Sequence, residues 1–303
     1  MTAPSPPSRH QADPVRIFVA ATPAEWLPMK VLEFSILEQT TLPVHLSAIY
    51  THGRTIPVPN DPANRARTPF SFQRFLIPEL CEYQGRAIYL DADMQVFKDI
   101  ASLWDSPFNG SDVQTVSNGT EERRSQFSVI LMDCSKLKWN IEDIIKQLDS
   151  GALTYQTLMF DMKVADSISY SLPQTWNSLE HYESLNTCLL HYTDMNTQPW
   201  VSLGNANGSL WVDCLKRALA QGFISAGELS REIEKGHVRP SLESQVASDS
   251  LSDWKPSLKD IWQDIKFVPP FYAITAPRSG KLKTLLSRLS RIQQLLRQIS
   301  VSR

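Results

Sequence analysis

Apolar and polar positions near the start of the chain predict a strand, a helix and a second strand. Residues 16–22 form a short apolar run that ends in small side chains, which predicts a central parallel strand. The helix has Pro28 in its first turn and a stop near Thr40. Residues 44–50 predict the second strand. A β-α-β start of this kind is typical of nucleotide-binding α/β folds, in which ligands gather at the carboxyl ends of strands.

The clearest strand signal in the chain ends in a pair of carboxylates. Residues 86–97 begin after Gly85 as an apolar run, which predicts a buried parallel strand that delivers Asp91 and Asp93 to a cleft. Carboxylate oxygens suit a hard divalent cation that holds a diphosphate. An Asp that merely ends a strand and caps the next turn would give the same pattern.

Further apolar patterns predict the rest of an α/β domain. Strands are predicted at residues 113–116 and 126–133, and loops at residues 57–69 and 117–126. Helices are predicted at residues 100–104, 139–148, 204–221 and 226–235, with a Ser-rich connector at 239–255.

Composition places the chain among ordinary globular proteins. With 303 residues, 42% hydrophobic and 20% charged, it is long enough to bury a sizeable core. No apolar run approaches the ~18 to 20 residues that a membrane span needs, and the N-terminus has no signal-peptide core. The four cysteines are widely spaced without a metal-type pair and are predicted to be reduced. We therefore expect a cytoplasmic protein.

Basic residues are concentrated at the C-terminal end. Residues 265–303 contain eight Lys or Arg and no Asp or Glu, whereas the rest of the chain is acidic. Apolar residues at helical spacing in 281–303 predict a basic amphipathic helix, which would lie on an anionic membrane surface at the cytoplasmic face or pack on the body or a second subunit. An oligomer is compatible with this pattern, and we expect no nucleic-acid partner. We predict four segments: a disordered start at 1–15, a domain at 16–221, a helical and irregular extension at 222–268, and the basic tail at 269–303.

Several motifs occur in a fixed order between residues 16 and 211. A helix that contains Phe72-Gln73-Arg74-Phe75 leads into the strand Tyr89-Leu90-Asp91-Ala92-Asp93. The later motifs are the strand at 126–133, Leu172-Pro173 with Trp176-Asn177, and the run from His191 to Trp200. This arrangement resembles glycosyltransferase family 8, the family of glycogenin and the bacterial lipooligosaccharide galactosyltransferases.

The resemblance implies a GT-A type α/β fold with a central mixed, mainly parallel sheet and a C-terminal helical extension. It also implies a metal-dependent retaining glycosyltransferase that uses a nucleotide-sugar donor, with UDP as the carrier. Retention in this family is usually explained by front-face attack within an ion pair, without a dedicated nucleophile. The acceptor would be an unknown glycan, a lipid-linked compound or a small molecule.

The resemblance also assigns site residues. Asp91, Asp93 and His191 would hold the metal ion, Mn²⁺ or Mg²⁺, and an imidazole beside two carboxylates favours Mn²⁺. The nucleotide would contact Ala21, Thr22, Arg74, Asp91, Ala92 and Asp93. Gln156 and Asp194 would lie near the sugar and the reacting centre.

The chain departs from the family pattern at several of these places. Tyr155 and Thr157 replace carboxylates beside Gln156, and Gln198 stands where a phosphate-binding Lys is expected. Arg65, Arg67, Arg74 or the backbone amides of Thr193 and Asp194 would then have to balance the diphosphate. Two alternatives follow: a non-catalytic nucleotide-sugar-binding protein that retains the fold, and a membrane-associated assembly protein.

Overall fold

The computed structural model of the chain describes residues 14–117 and 127–272. Residues 1–13 of the predicted disordered start, residues 118–126 of the predicted loop and the whole basic helix at 281–303 lie outside the described residues. Among those described, no helix is both long enough and apolar enough to cross a membrane.

Within residues 14–117 and 127–272, nine strands form two sheets. In chain order they are β1 Val15–Ala20, β2 Val44–Ala48, β3 Arg86–Asp91, β4 Met94–Val96, β5 Val113–Val116, β6 Val129–Asp133, β7 Ile168–Leu172, β8 Ser178–Leu179 and β9 Leu189–His191. The large sheet has the order β2-β1-β3-β6-β5-β7, and only β6 runs against its neighbours. The predicted central mixed, mainly parallel sheet is therefore confirmed.

The α-helices surround these sheets and continue past them. They are α1 Trp26–Leu37, α2 Ile77–Leu80, α3 Ala101–Trp104, α4 Ile141–Ser150, α5 Tyr155–Met159, α6 Gly208–Ala220, α7 Ala226–Glu234, α8 Ser241–Ala247 and α9 Leu258–Lys266. Short 3₁₀ turns join several elements, including Pro23–Glu25 before α1 and Gln73–Leu76 before α2.

Strand β3 lies in the middle of the large sheet because its residues are apolar on both faces. Ile88, Tyr89 and Leu90 are fully buried, as expected for a strand that is covered on both sides. The strand begins after Gly85, whose φ is +63°. A Cβ added at this glycine would lie 2.7 Å from Nη2 of Arg16. A side chain is therefore both strained and obstructed at this turn. Parallel pairing with β1 places Asp91 beside Ala20, at the carboxyl edge of both strands.

A three-stranded sheet, β4-β9-β8, lies next to this edge. Strands β4 and β9 are antiparallel and pair Met94 with His191. The ladder continues one step further, where the amide of Tyr192 donates to the carbonyl oxygen of Asp93 over 2.8 Å. The register of this small sheet thus brings His191 next to Asp93, in the short link between β3 and β4.

The helices after β9 pack on α1. Leu27, Val31 and Phe34 of α1 share one buried cluster with Trp211 and Leu215 of α6. Arg239, which precedes α8, is 1% exposed. Its amide donates to the carbonyl oxygen of Trp200 and its Nε to that of Pro199, both over 2.8 Å. The segment after β9 that contains Pro199 and Trp200 is therefore bonded to the start of α8.

The prediction of a connector at 239–255 is wrong in part, because α8 occupies residues 241–247. Its Ser residues are used as hydrogen-bonding partners: Ser241 donates to Asp264 and Ser244 to Asp260. Both carboxylates belong to α9, a helix that the apolar pattern did not predict. In α9 the Asp side chains face inward, and Leu258 and Trp262 are 86% and 59% exposed.

Candidate active site

The carboxylate of Asp91 is held by the strand that presents it. Tyr89 and Asp91 are two residues apart on β3 and so share a face of the strand, and the Tyr89 hydroxyl donates a 2.6 Å hydrogen bond to Oδ1 of Asp91. Burial raises the pKa of Tyr89 well above its usual value, so the hydroxyl keeps its proton and remains a donor. Oδ1 is thereby occupied, which leaves Oδ2 of Asp91 for another partner.

The structure brings Asp91, Asp93 and His191 together. Nε2 of His191 lies 3.1 Å from Oδ1 of Asp93 and 4.0 Å from Oδ2 of Asp91. One ligand atom from each of the three residues lies within 4.8 Å of the others. Two carboxylate oxygens and an imidazole nitrogen form a donor set that accommodates a divalent transition-metal ion.

The orientation of the His191 ring supports this use. Its Nδ1 lies 3.0 Å from Oδ1 of Asn177, an amide oxygen that only accepts, so Nδ1 carries the proton. Nε2 therefore faces the carboxylates of Asp93 and Asp91, and in the neutral ring its lone pair is available to a cation held between them. A metal-ligating His usually donates its other ring N–H to an oxygen acceptor in this way, which fixes the orientation of the ring. Asn177 belongs to the Trp176-Asn177 motif of the sequence, but its spacing alone did not reveal this contact.

Gln198 contacts the same site. Its side-chain amide donates to Oδ2 of Asp93 and to the carbonyl oxygen of Tyr192, both over 3.0 Å, and the residue is 7% exposed. The side chain at the expected lysine position therefore orients Asp93 and carries no charge. This contact could not be foreseen from the sequence.

A cavity of about 440 Å³ opens over the three residues. Its wall includes Ala20 and Ala92 from the sheet edge, Arg67 from the loop after β2, and Trp200 and His237 from the later part of the chain. A larger, more open cavity of about 970 Å³ shares Asp91 and Arg67 with it. The two cavities therefore adjoin at Asp91, on either side of the loop that carries Arg67.

Arg74 lies behind Asp91 and is 5% exposed. Its Nη1 donates to the carbonyl oxygen of Phe127 over 2.7 Å, and its Nη2 lies 4.0 Å from Oδ1 of Asp91. The guanidinium also lies 4.5 Å from the centre of the Tyr89 ring, within the range of a cation–π contact. Arg74 lines the larger cavity and contributes positive charge next to the carboxylates.

The two predicted residues near the reacting centre occupy different places. Gln156, on α5, is exposed and lines the larger cavity together with Asp91 and Arg74. Asp194 is also exposed, but it is absent from the residues that line either cavity. Its Oδ1 accepts from the amide and the side chain of Asn196, both over 3.0 Å, and its own amide donates to Glu180 over 2.8 Å. The structure thus brings Gln156 to the site and uses Asp194 to shape a turn.

The loop after β1 is held by its own hydrogen bonds. Ala21 is fully buried, and its amide and carbonyl groups bond to the side chain of Gln73 over 3.1 and 3.0 Å. Thr22 caps the turn before α1 in a capping box with Glu25. Neither residue is part of the wall of either cavity, whereas Ala20, Ala24 and Glu25 line the smaller one.

Comparison with known proteins agrees with this architecture. Residues 30–155 match the family model described as Glycosyl transferase family 8. Protein CDI of Arabidopsis thaliana is 26% identical over 221 residues, which cover 67% of this chain and 82% of that protein.

The chain is also similar to parts of solved structures. The apo form of the glycosyltransferase GlyE of Streptococcus pneumoniae TIGR4 aligns with a TM-score of 0.50 at 15% identity, over 75% of this chain and 65% of that one. Galactosyltransferase LgtC, solved with donor and acceptor sugar analogues, aligns with a TM-score of 0.47 at 12% identity, over 66% of this chain and 95% of that one.

The fold and the family match define a glycosyltransferase with a GT-A type architecture. The match of residues 30–155 to the model of glycosyltransferase family 8 confirms the resemblance found in the sequence motifs.

Proposed function

We propose that this glycosyltransferase is metal-dependent and retaining, and that it moves a sugar from a nucleoside-diphosphate sugar, with UDP as the carrier, to an acceptor that remains to be identified. The observation that carries the proposal is the meeting of Asp91, Asp93 and His191, whose ligand atoms lie within 4.8 Å of one another at the edge of a cavity.

Asp91, Asp93 and His191 would hold Mn²⁺ or Mg²⁺, and the imidazole favours Mn²⁺. The bound ion would supply Lewis-acid stabilisation to the departing diphosphate. The surrounding side chains keep the donor atoms aligned: Tyr89 bonds Asp91, Gln198 bonds Asp93, and Asn177 fixes the His191 ring.

Arg67 is the cation best placed to replace the expected lysine. It lines both cavities, and its guanidinium lies 4.6 Å from the centre of the Tyr155 ring. Arg67 donates to one carbonyl oxygen, that of Ala63, over 3.2 Å. The guanidinium of Arg65 donates to two, those of Pro59 and Asn60, and lines neither cavity, and the amide of Asp194 is used by Glu180. We therefore assign the diphosphate contact to Arg67, with Arg74 adding charge from behind Asp91.

Gln156 would contact the transferred sugar or the acceptor from the larger cavity. Ala92, which lines the smaller cavity, would contact the nucleotide at the sheet edge. Ala21 and Thr22 would contribute indirectly, by shaping the loop after β1. Asp194 would act on the sugar only through the turn that it stabilises. Retention by front-face attack asks only that these residues orient the donor and the acceptor and exclude water.

The wider setting is also a proposal. The glycosyltransferase domain would extend over residues 16–221, and the protein would act in the cytoplasm. Residues 281–303 would contact an anionic membrane surface, which is where a lipid-linked acceptor would be found. Flotation with anionic liposomes tests this role, because the full chain should float and a chain lacking residues 281–303 should not. Equal flotation of both would contradict it.

Donor hydrolysis tests the central proposal. A panel of nucleotide sugars is incubated with the protein in Mn²⁺ or in EDTA, and release of the nucleoside diphosphate is measured. We expect release from at least one donor that depends on Mn²⁺ and is lost in Asp93→Ala, whereas Asp253→Ala, at an exposed position between α8 and α9, should behave as wild type.

The competing function is nucleotide-sugar binding without transfer. It is favoured by Gln198, whose amide serves Asp93 and brings no charge to a phosphate. Binding of a nucleotide sugar with Mn²⁺ but no release or transfer with any donor and acceptor would establish this second function in place of the first.

A further inference from the structure

His237 lines the same cavity as the three proposed metal ligands but comes from a different part of the chain. It lies between α7 and α8, beyond the matched family region at residues 30–155. The cavity wall contains His237 together with Asp91, Asp93 and His191. An imidazole in this position has no role in holding the metal ion or the diphosphate as assigned above.

Glu232 fixes the His237 ring. Nδ1 of His237 lies 2.6 Å from Oε2 of Glu232, and Lys235 occupies the other oxygen of this carboxylate over 2.8 Å. The Glu232 side chain is only 5% exposed and that of His237 is 19% exposed. Because an ionised carboxylate only accepts, Nδ1 carries the proton. The other ring nitrogen, Nε2, has no hydrogen-bonding partner among residues 14–117 and 127–272.

The neighbours of Glu232 show where Glu232 and His237 lie in the fold. A shallow pocket is lined by Glu232 and Lys235 together with Pro23, Trp26 and Tyr50. Pro23 and Trp26 belong to the turn that joins β1 to α1, and Ala24 and Glu25 of the same turn line the cavity that contains His237. His237 therefore faces the ligand cavity beside the carboxyl end of β1, where α/β folds of this type bind the nucleoside part of a nucleotide.

We propose that His237, oriented by Glu232, is a nucleoside-binding residue that hydrogen-bonds a ribose hydroxyl of the donor. This inference rests on the proposed function, because it needs a nucleoside diphosphate in the cavity. A hydroxyl group both donates and accepts, so it suits Nε2 of a neutral ring, which accepts, as well as Nε2–H of a charged ring, which donates. Recognition of this kind distinguishes a ribonucleotide from its deoxy analogue and is independent of the base.

A purely structural role for the pair would join α7 to the turn that follows it. That role accounts for the bond between His237 and Glu232, since the His237 amide also donates to the carbonyl oxygen of Glu232 over 3.0 Å. It does not explain why the imidazole lies at the cavity wall, where Nε2 has no hydrogen-bonding partner among the described residues. The two roles differ in their effect on deoxynucleotides, which only the binding role predicts.

The test measures binding of UDP, ADP, GDP and CDP to the full chain in Mn²⁺ by calorimetry, followed by the 2′-deoxy and 3′-deoxy forms of the best ligand. Wild type, His237→Ala and His237→Gln are compared. The matched control is His181→Ala, because His181 also lies beside a carboxylate, Nε2 being 2.9 Å from Oε1 of Glu183, but is 72% exposed and away from both cavities.

We expect His237→Ala to weaken binding of the ribonucleotide about five- to tenfold, as for the loss of one hydrogen bond. The wild-type protein should bind one of the deoxy forms more weakly by a similar factor, and His237→Ala should abolish that preference. His237→Gln, which retains a polar group, should recover part of the affinity, and His181→Ala should match wild type. Melting temperatures without ligand show whether each variant is folded.

The outcomes separate the inference from the proposed function. If the wild-type protein binds none of the four diphosphates with Mn²⁺, the proposed function is overturned and this inference with it. If the wild-type protein binds but the folded His237→Ala variant keeps full affinity, or keeps its preference for the ribonucleotide, only the assignment of His237 is overturned.

Discussion

The hydroxyl of Tyr89 donates a 2.6 Å hydrogen bond to Oδ1 of Asp91, two residues further along the same strand. Tyr89 is fully buried in the middle of the sheet, so the core of the protein directly orients one of the three proposed metal ligands. The other two are oriented from separate elements, Asp93 by Gln198 and His191 by Asn177. Each of these contacts can be removed without touching the ligands.

Replacing Tyr89 by Phe should weaken Mn²⁺ binding about tenfold, because a side chain that hydrogen-bonds a metal ligand typically contributes that much to metal affinity. The ring stays buried, so the fold should be retained. Titration of Mn²⁺ in the presence of nucleoside diphosphate, with free ion counted by electron paramagnetic resonance, measures the change. Tyr83→Phe is the control, because the Tyr83 hydroxyl bonds the carbonyl oxygen of Trp139 at another place in the fold. Equal Mn²⁺ affinity of both variants would contradict the role of Tyr89.

Replacing Asn177 by Ala should also lower Mn²⁺ affinity about tenfold or more, because the His191 ring loses the acceptor that fixes its Nδ1 proton. Asn177→Asp restores an acceptor and should recover the affinity. The same titration measures both variants. Recovery by Asp and not by Ala would separate orientation of the ring from a packing defect, whereas wild-type affinity of Asn177→Ala would refute the contact.

Replacing Gln198 by Leu should lower the free energy of unfolding by about 1 to 3 kcal/mol, because the carbonyl oxygen of Tyr192 loses a buried hydrogen bond. Urea unfolding measures this change. Gln221→Leu, at an exposed position after α6, should change stability far less. Equal stability of the two variants would show that the Gln198 amide contributes nothing at this place.

Acid should weaken the attachment of α9. Burial acts to raise the pKa of Asp260, but hydrogen bonds from Ser257 and Ser244 outweigh it and lower the pKa below its usual value. A carboxyl group whose pKa is lower in the folded state stabilises the fold above its unfolded pKa, which is about 3.9, and loses that contribution as the pH falls through the folded pKa. Asp260→Asn should thus cost about 1 kcal/mol near pH 7 and less at pH 3, which lies below the unfolded pKa.

Unfolding by urea at the two pH values measures the Asp260 effect. Asp253→Asn, at an exposed position, serves as the control. A cost that is the same at pH 7 and pH 3 would show that the carboxylate charge of Asp260 is not what stabilises α9.

The sequence predicted those parts of the protein in which local pattern and tertiary environment agree. Strand β3 is apolar on both faces, opens at a Gly and closes at a carboxylate, so its place in the sheet could be inferred. Helix α4 was predicted for the same reason, since its apolar residues lie on one face and are buried. The motif order then indicated His191 as a partner of the two Asp residues, although no spacing rule contains that information.

The remaining features depend on contacts between distant segments. Helix α9 was missed because its Asp side chains are buried against Ser residues and its apolar residues are exposed, which reverses the usual pattern. The bond from Gln198 to Asp93 and the position of His237 on the cavity wall arise from the way the chain returns to the sheet edge after β9. No periodicity in the sequence reports such a return.

The small sheet β4-β9-β8 also determines when the site can exist during synthesis. A hydrogen bond in this region joins Tyr192 to Gln95 across 97 positions of sequence, so β4 leaves the ribosome long before its partner β9 does. A nascent chain that ends before β9 has both Asp residues but lacks His191, Gln198 and His237. The chain should therefore gain the ability to capture a cation and a nucleotide only after β9 and residues up to His237 have left the ribosome.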